Sequence, residues 1–471
     1  MRPRSRAVAH AGQAPAGARP PRRPRAGEVR RALLVAALAL PLPLLAGPAA
    51  ATVCHPARVP AATLLLPYFE VSLEDPNGLT TLFSINNAAA AAVLTHVSIW
   101  SDLSVPIMSF DVYLTGYDVQ TINLRDVIVN GNLPQTASVG QDPNDTISPR
   151  GPDSTDVNYP SCDGKLPPPP LAPAISGHVQ DALTGKPSPI LSGLCAGQVF
   201  GDNVARGYIT VDTVNDCTVR FPGDPGYFVA NGGGDATDQN VLWGVWFIVN
   251  AAQGFAQGAE MVAIEADGTD PATATPGRYT FYGRYDGWTA VDHREPLATT
   301  FATQFAGGFG AFVNGTDLLV WRDPKVAQGP VACPVTPTVR PPWYPQGQEG
   351  LVIFDEMEHP AVPVTCPFSG SPAPSARPQQ CPPEPPFSPF PAATQRTHIG
   401  GAAFPVPFDF GWLWLDLNAT SAASSGNNPA ADPLAQQAWI VFTQSTNGHF
   451  AVALDAYRLD SACAANHAVP H

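Results

Sequence analysis

Between Thr63 and Val127, side chains of apolar character recur at every second position. They fall at Leu79, Thr81, Phe83 and Ile85, then at Val93, Val97 and Ile99, then at Met108, Phe110, Val112 and Leu114. Period two puts such residues on one side of an extended chain, since successive Cβ atoms point to opposite faces. The runs are separated by Asp75-Pro76-Asn77-Gly78, Asn86-Asn87 and Thr115-Gly116. These are turn formers, because Gly and Asn tolerate positive φ and Pro presets φ. The pattern predicts consecutive antiparallel strands of a sandwich or barrel.

The same pattern returns further along. Strands are expected at Arg206–Val214, Cys217–Phe221, Val241–Asn250, Gly258–Asp267, Gly277–Asp286 and Thr316–Asp323, then at Gly411–Asn418, Ala438–Gln444 and His449–Asp460. Asn447-Gly448 is a hairpin signal between the last two. Segment Val245–Asp267 loosely echoes Thr81–Asp102, each reading strand, Asn-Ala turn, strand. Residues 130–195 have loop composition, with one short helix expected over Pro173–Leu183 from the spacing of Ile175, Val179 and Leu183. Gly185 suits its C-terminal stop. Asn231–Asn240 reads as a flexible loop and the boundary between two domains, 52–230 and 231–471. Residues 360–391 hold 12 prolines, a surface loop of polyproline character.

Composition reinforces the reading. The 54 prolines and 41 glycines leave little room for long helices, because an interior proline removes a hydrogen bond and clashes with the preceding turn. Two antiparallel β-sandwiches, Ig-like or jelly-roll, with long Pro/Gly-rich loops are the expected all-β architecture.

Charge narrows the partners. Nine of the 25 Lys and Arg residues precede Ala32, where Glu28 is the one acid. From Ala32 onward 16 basic residues face 38 acidic ones, a net of −22. Such a surface repels phosphate backbones and anionic lipid, which argues against nucleic-acid and membrane-surface partners. Arg30-Arg31, the apolar run Ala32–Leu45 and the small residues up to Ala51 read as a signal peptide cleaved after Ala51. Pro41 and Pro43 interrupt the run, which is short of the roughly 20 residues a membrane span needs. Residues 1–28 read as an unstructured n-region or a misassigned start. No transmembrane segment is expected in the mature chain, which should be secreted or periplasmic.

Eight cysteines on an exported chain predict disulfides. The expected pairs are Cys195 with Cys217, Cys333 with Cys366 or Cys381, and Cys54 with Cys463. No C-x-x-C occurs, so zinc held by sulfur is not expected.

The phrases LLLPYFEVSL, NGLTTLFSINN, LTGYDVQTINLRDV, ARGYITVDTVNDC, FDEMEHP and PFDFGWLWLDLN resemble a group of uncharacterised exported bacterial proteins. The resemblance spans most of the mature chain and implies an extracytoplasmic β-rich fold. It implies no activity and supplies no site residue. Ala, Pro and Arg usage with three lysines also suits a bacterium of high GC content.

Three constellations could carry chemistry. Trp412 and Trp414, two apart on a strand whose other face is Leu413, Leu415 and Leu417, would project together and could stack on sugar rings; burial against a second sheet is the structural alternative. Trp343-Tyr344, in a Pro-flanked loop, is a second exposed aromatic candidate. Asn231, Asp235, Asp238 and Asn240, or Asp142, Asn144 and Asp145, could offer oxygens to calcium, though neither set has EF-hand spacing. Asp355, Glu356, Glu358 and His359 could do acid–base work or simply cap a loop. No G-x-S-x-G, H-E-x-x-H, Walker or G-x-G-x-x-G motif is present. His96, His293, His398 and His449 are scattered and read as structural. The expected function is an extracytoplasmic structural or interaction protein without catalysis, bound to an unknown protein or glycan. A carbohydrate-binding module is the first alternative and a hydrolase the second.

Overall fold

A computed structural model describes residues 59–135, 159–230, 233–270, 280–308, 312–336, 339–360, 389–417, 436–446 and 450–459, less 288, 290, 325, 326, 328, 349 and 402. The leader, Cys54, Cys366, Cys381, Cys463, residues 142–145, Asn447-Gly448 and most of the Pro-rich loop lie outside them.

The chain is all-β, built as four antiparallel sheets. It opens with β1 (Thr63–Ser72), β2 (Leu79–Asn87), β3 (Val93–Ser101), β4 (Pro106–Leu114) and β5 (Val119–Asn123). The turn before β2 closes as its residues dictate: the Asp75 carboxylate accepts the Asn77 N–H at 2.9 Å, and the Asp75 carbonyl accepts the Gly78 N–H at 3.1 Å. A short helix α1 (Leu124–Ile128) follows, its first turn capped by the Asn123 side chain. Helix α2 (Pro173–Leu183) forms where the apolar spacing predicted it, with Pro at its first position and Val179 and Leu183 buried. Gly185, at φ +71°, turns the chain away, and a Cβ there would lie 2.4 Å from the Gln198 carbonyl.

The first sheet has the order β10-β1-β6-β3-β4, with β6 (Val204–Val214) and β10 (Val262–Ile264). The second has the order β5-β2-β8-β9, with β8 (Val245–Asn250), β9 (Phe255–Glu260) and β7 (Leu242–Trp243) paired to β2. One core joins their facing sides, including Leu65, Phe83, Ile85, Val97, Ile99, Trp246 and Ile248. Strands from both sides of the loop 231–240 therefore share sheets, because β8 pairs β2 and β10 pairs β1. The expected strand Gly258–Asp267 is split at Met261: β9 stays on β8 and β10 crosses to β1. The echo between Val245–Asp267 and Thr81–Asp102 does not extend to topology. β8 and β9 form a hairpin, whereas β2 and β3 go to different sheets.

The third sheet is β14-β12-β16-β17, from β12 (Thr316–Arg322), β14 (Thr394–His398), β16 (Ala438–Thr446) and β17 (Phe450–Asp455). The fourth is β13-β15-β11-β18, from β11 (Thr300–Ala306), β13 (Gly350–Asp355), β15 (Phe410–Asp416) and β18 (Tyr457–Arg458). Leu318, Val320, Ile440 and Phe442 pack against the fourth sheet's Phe301, Phe305, Leu413 and Leu415. Their alternates Leu319, Trp321, Trp439 and Val441 belong to the first core instead. The central strands β12 and β16 are thus buried on both faces, which is why they read as nearly continuous apolar runs. Arg396 of β14 locks it to β1 through Glu70, at 2.7 Å, and to Asp317 of β12, at 3.0 Å.

Three expectations are corrected. Residues 217–221 and 280–286 are not strands; the latter turn into a short helix α3 (Gly283–Asp286). Among the described residues the disulfides are Cys162–Cys217 and Cys195–Cys333. Cys195 and Cys217 flank the 11 residues of β6, which extend over roughly 30 Å and cannot be clipped end to end. Instead Cys195 exchanges backbone hydrogen bonds with Val331, at 2.8 and 2.9 Å, which brings it onto Cys333 rather than leaving Cys333 for Cys366 or Cys381. Cys217 is drawn to the 160–165 segment, where its N–H meets the Ser161 hydroxyl and its carbonyl meets Lys165.

Candidate functional site: the outer face of the fourth sheet

On β15 the alternation is clean. Leu413, Leu415 and Leu417 are fully buried in the second core, while Trp412, Trp414 and Asp416 take the other face and remain half-buried. Pairing extends that face sideways. Trp412 lies between Phe354 of β13 and Gln304 of β11, and Trp414 lies between Val352 and Ala302. Tyr457 of β18, 73% exposed, pairs with Ala302 beyond. The result is an aromatic outer face on a sheet whose inner face is sealed.

The two indoles are held differently. Trp412 stacks on Phe354, ring centroids 4.1 Å apart and planes within 10°, so each ring covers one face of the other. Trp414 leans across β13 above Gly350, where a Cβ would come within 2.4 Å of Cζ3. Glycine at that position is what lets the indole reach over the neighbouring strand. The two tryptophans share a face, as the spacing predicted, but they are not two open platforms. Trp343 is not exposed: at 3% it packs with Leu103 and Ala393. Its loop runs over the end of β3, and the Tyr344 hydroxyl donates to Gln198 at 2.8 Å.

Acidic side chains gather at one end of this sheet. Asp355 and Gly411 are paired, which brings the turn 356–359 beside Asp409 and Phe410. Glu356, Glu358, Asp409 and Met357 are exposed. Asp355 itself is committed to the turn, its Oδ1 accepting the N–H groups of Met357 at 2.9 Å and His359 at 2.8 Å, with His359 Nδ1 3.1 Å from Oδ2. Desolvation works to raise its pKa, but the His359 and Met357 N–H groups and the His359 ring outweigh it, and the carboxyl titrates below its ordinary range. Glu358, at φ +63°, completes the turn. Asp355, Glu356 and His359 therefore make a capped surface turn rather than an acid–base pair facing across a cleft.

Of the oxygens considered for calcium, those of Asp235, Asp238 and Asn240 have protein partners, and Asn231, Asp142, Asn144 and Asp145 lie outside the described residues. Both oxygens of Asp235 accept from Arg220 Nη1, at 2.8 and 2.9 Å, and Asp238 accepts from His293 at 2.6 Å. The Asn240 side chain bonds the backbone of Ala266. Among the described residues no group of three or more His, Cys, Asp or Glu is placed to hold a metal.

A second polar assembly was not legible in the sequence. Asp111, His96, Asp212 and Thr63 stand in one row across β4, β3, β6 and β1. His96 Nδ1 is 2.7 Å from Asp111 Oδ1, and the Tyr227 and Tyr282 hydroxyls donate to Asp212 Oδ2 at 2.6 and 3.1 Å. Thr63 donates to Asp212 Oδ1, and Arg294 reaches Thr63, Asp212, Asp292 and the Thr237 carbonyl. Burial raises the Asp292 carboxyl to about 6, against the pull of Arg294. His96, Asp212, Thr63, Arg294 and both tyrosines are fully buried. This row fastens the segments around Tyr227 and Tyr282–Arg294 over the first sheet, with Arg294 paired to Asp212 and Asp292 and His96 Nδ1 to Asp111, while His96 Nε2 is buried without a partner among the described residues. The one signal was the alternate polar pair His96 and Ser98 on β3, which strand logic assigns to solvent.

No family model matches the chain, and no curated protein or solved structure is significantly similar to it.

Proposed function

We propose that the protein is an exported, extracytoplasmic protein without catalytic activity that works by holding a partner on the outer face of β13-β15-β11-β18. The observation that carries this is the half-exposed set Phe354, Trp412, Trp414 and Tyr457 on a sheet whose other side is fully packed. Aromatic side chains gathered at a surface in this way are characteristic of binding patches. Two disulfides support an oxidising compartment. A photo-crosslinking residue at Gln304, which is exposed between the aromatic rows, should capture a partner in the producing cell. The same residue at Val219, 82% exposed and elsewhere, should not. Equal capture at both positions, or none at Gln304, counts against the proposal.

A glycan ligand is the second reading. Trp414 favours it, because its indole lies across the sheet over Gly350 and offers an outward surface. The Trp412–Phe354 stack weighs against it, since one face of Trp412 is already occupied.

A further inference from the structure

The strands of the fourth sheet carry the aromatic face and almost no positive charge. Across β11, β13, β15 and β18 the one basic residue is Arg458. It pairs with the inward-facing Phe301 and places its guanidinium 5.2 Å from the Trp439 ring, away from the outer face. The acids Asp355, Glu356, Glu358 and Asp409 lie together at the end of the sheet where Phe354 and Phe410 emerge. Met357, 69% exposed, projects from the same turn.

We infer that the partner held on this face is a basic amphipathic polypeptide segment, one that sets apolar side chains on the aromatic rows and Lys or Arg at the acidic end. The inference rests on the reading of this face as the binding surface. Three features support this partner class. Tryptophan and tyrosine rings present a negative π-face that attracts guanidinium and ammonium groups. The acidic end offers ion-pair acceptors, and Glu356 and Glu358 are exposed on the capped turn. The chain beyond the basic leader carries a net charge of −22, which speeds encounter with a cationic partner and repels anionic lipid and acidic glycans. A neutral sugar would use the indoles and leave the acids idle. Phe410, 41% exposed, extends the apolar surface to the acidic edge, so both recognition elements meet without a gap.

The test uses the full mature chain and three probes: a short amphipathic Lys/Leu peptide, its Glu/Leu counterpart and a neutral oligosaccharide. The Lys/Leu peptide should bind, and more weakly at high salt, as surface ion pairs require. Trp414→Ala should weaken it about tenfold or more, as expected for an aromatic anchor at the centre of an interface. The triple variant Glu356→Gln/Glu358→Gln/Asp409→Asn, which alters no core residue, should weaken it about tenfold and flatten its salt dependence. Comparable binding of the Glu/Leu peptide, or indifference to the triple variant, overturns the inference. Oligosaccharide binding that disappears in Trp414→Ala overturns the partner class while preserving the face. Failure of all three probes to respond to Trp414→Ala overturns both.

Discussion

Trp414 and Gly350 are in direct contact across β15 and β13, with the indole occupying the space a side chain at position 350 would need. Gly350→Ala should therefore lift or rotate the indole, costing about 1–3 kcal/mol as overpacking does. The same change should alter the tryptophan emission spectrum, and it should weaken any ligand that rests on Trp414. Urea unfolding followed by fluorescence reads both effects. An unchanged midpoint and spectrum would show that the ring does not lie where the structure puts it.

Asp102 makes stability depend on pH. Burial raises its carboxyl from 3.8 to about 7, and hydrogen bonds from the Gln198 side chain and backbone, with Arg206 at longer range, only partly offset this. Tyr344 and, through it, Arg340 are the other titratable or charged groups coupled to the site. A raised acid binds its proton more tightly folded than unfolded, so this contribution is full below pH 3.8 and is lost as pH rises toward about 7. At full expression it amounts to roughly 4 kcal/mol. Asp102→Asn should be more stable than the parent at pH 8 and should lose that advantage near pH 4. Parallel stability curves would contradict the assignment.

Strand β12 is buried on both sides, so its neighbouring residues should be equally intolerant. Leu318 faces one core and Leu319 the other, both at 0% exposure. Each single change to Ala should cost about 2–5 kcal/mol, and their separate cores should make the double change close to additive. A near-neutral Leu319→Ala, measured by denaturant midpoint, would mean that face is open.

The Cys195–Cys333 bridge closes a separation of 138 residues and Cys162–Cys217 one of 55. Loop-closure entropy assigns them about 5 and about 4 kcal/mol, as upper values. Replacing either pair by Ala should lower the denaturant midpoint, the longer bridge slightly more. Insensitivity of the oxidised protein to reductant would contradict both pairings.

What was legible followed from local rules. β2 to β4 and helix α2 were predicted because their periods and turn residues agree, and Trp412/Trp414 because period two fixes which residues share a face. Partnership between distant segments was not legible. Phe354 and Tyr457 join Trp412 and Trp414 only through register across strands far apart in sequence, and the same holds for Cys195 with Cys333. Trp343 looked exposed because prolines flank it, yet its loop is pressed onto Leu103. His96 looked isolated because Asp111 reaches it from the next strand, and because the polar face of β3 is covered by later segments.

Carbene footprinting of the native protein in its own compartment, compared with the purified chain, tests the central claim most directly. Phe354, Trp412, Trp414 and Tyr457 should label together in the purified protein and become protected together in the compartment, while Val219 labels equally in both. Equal labelling of the four aromatic residues in the two settings would show that nothing is held on this face.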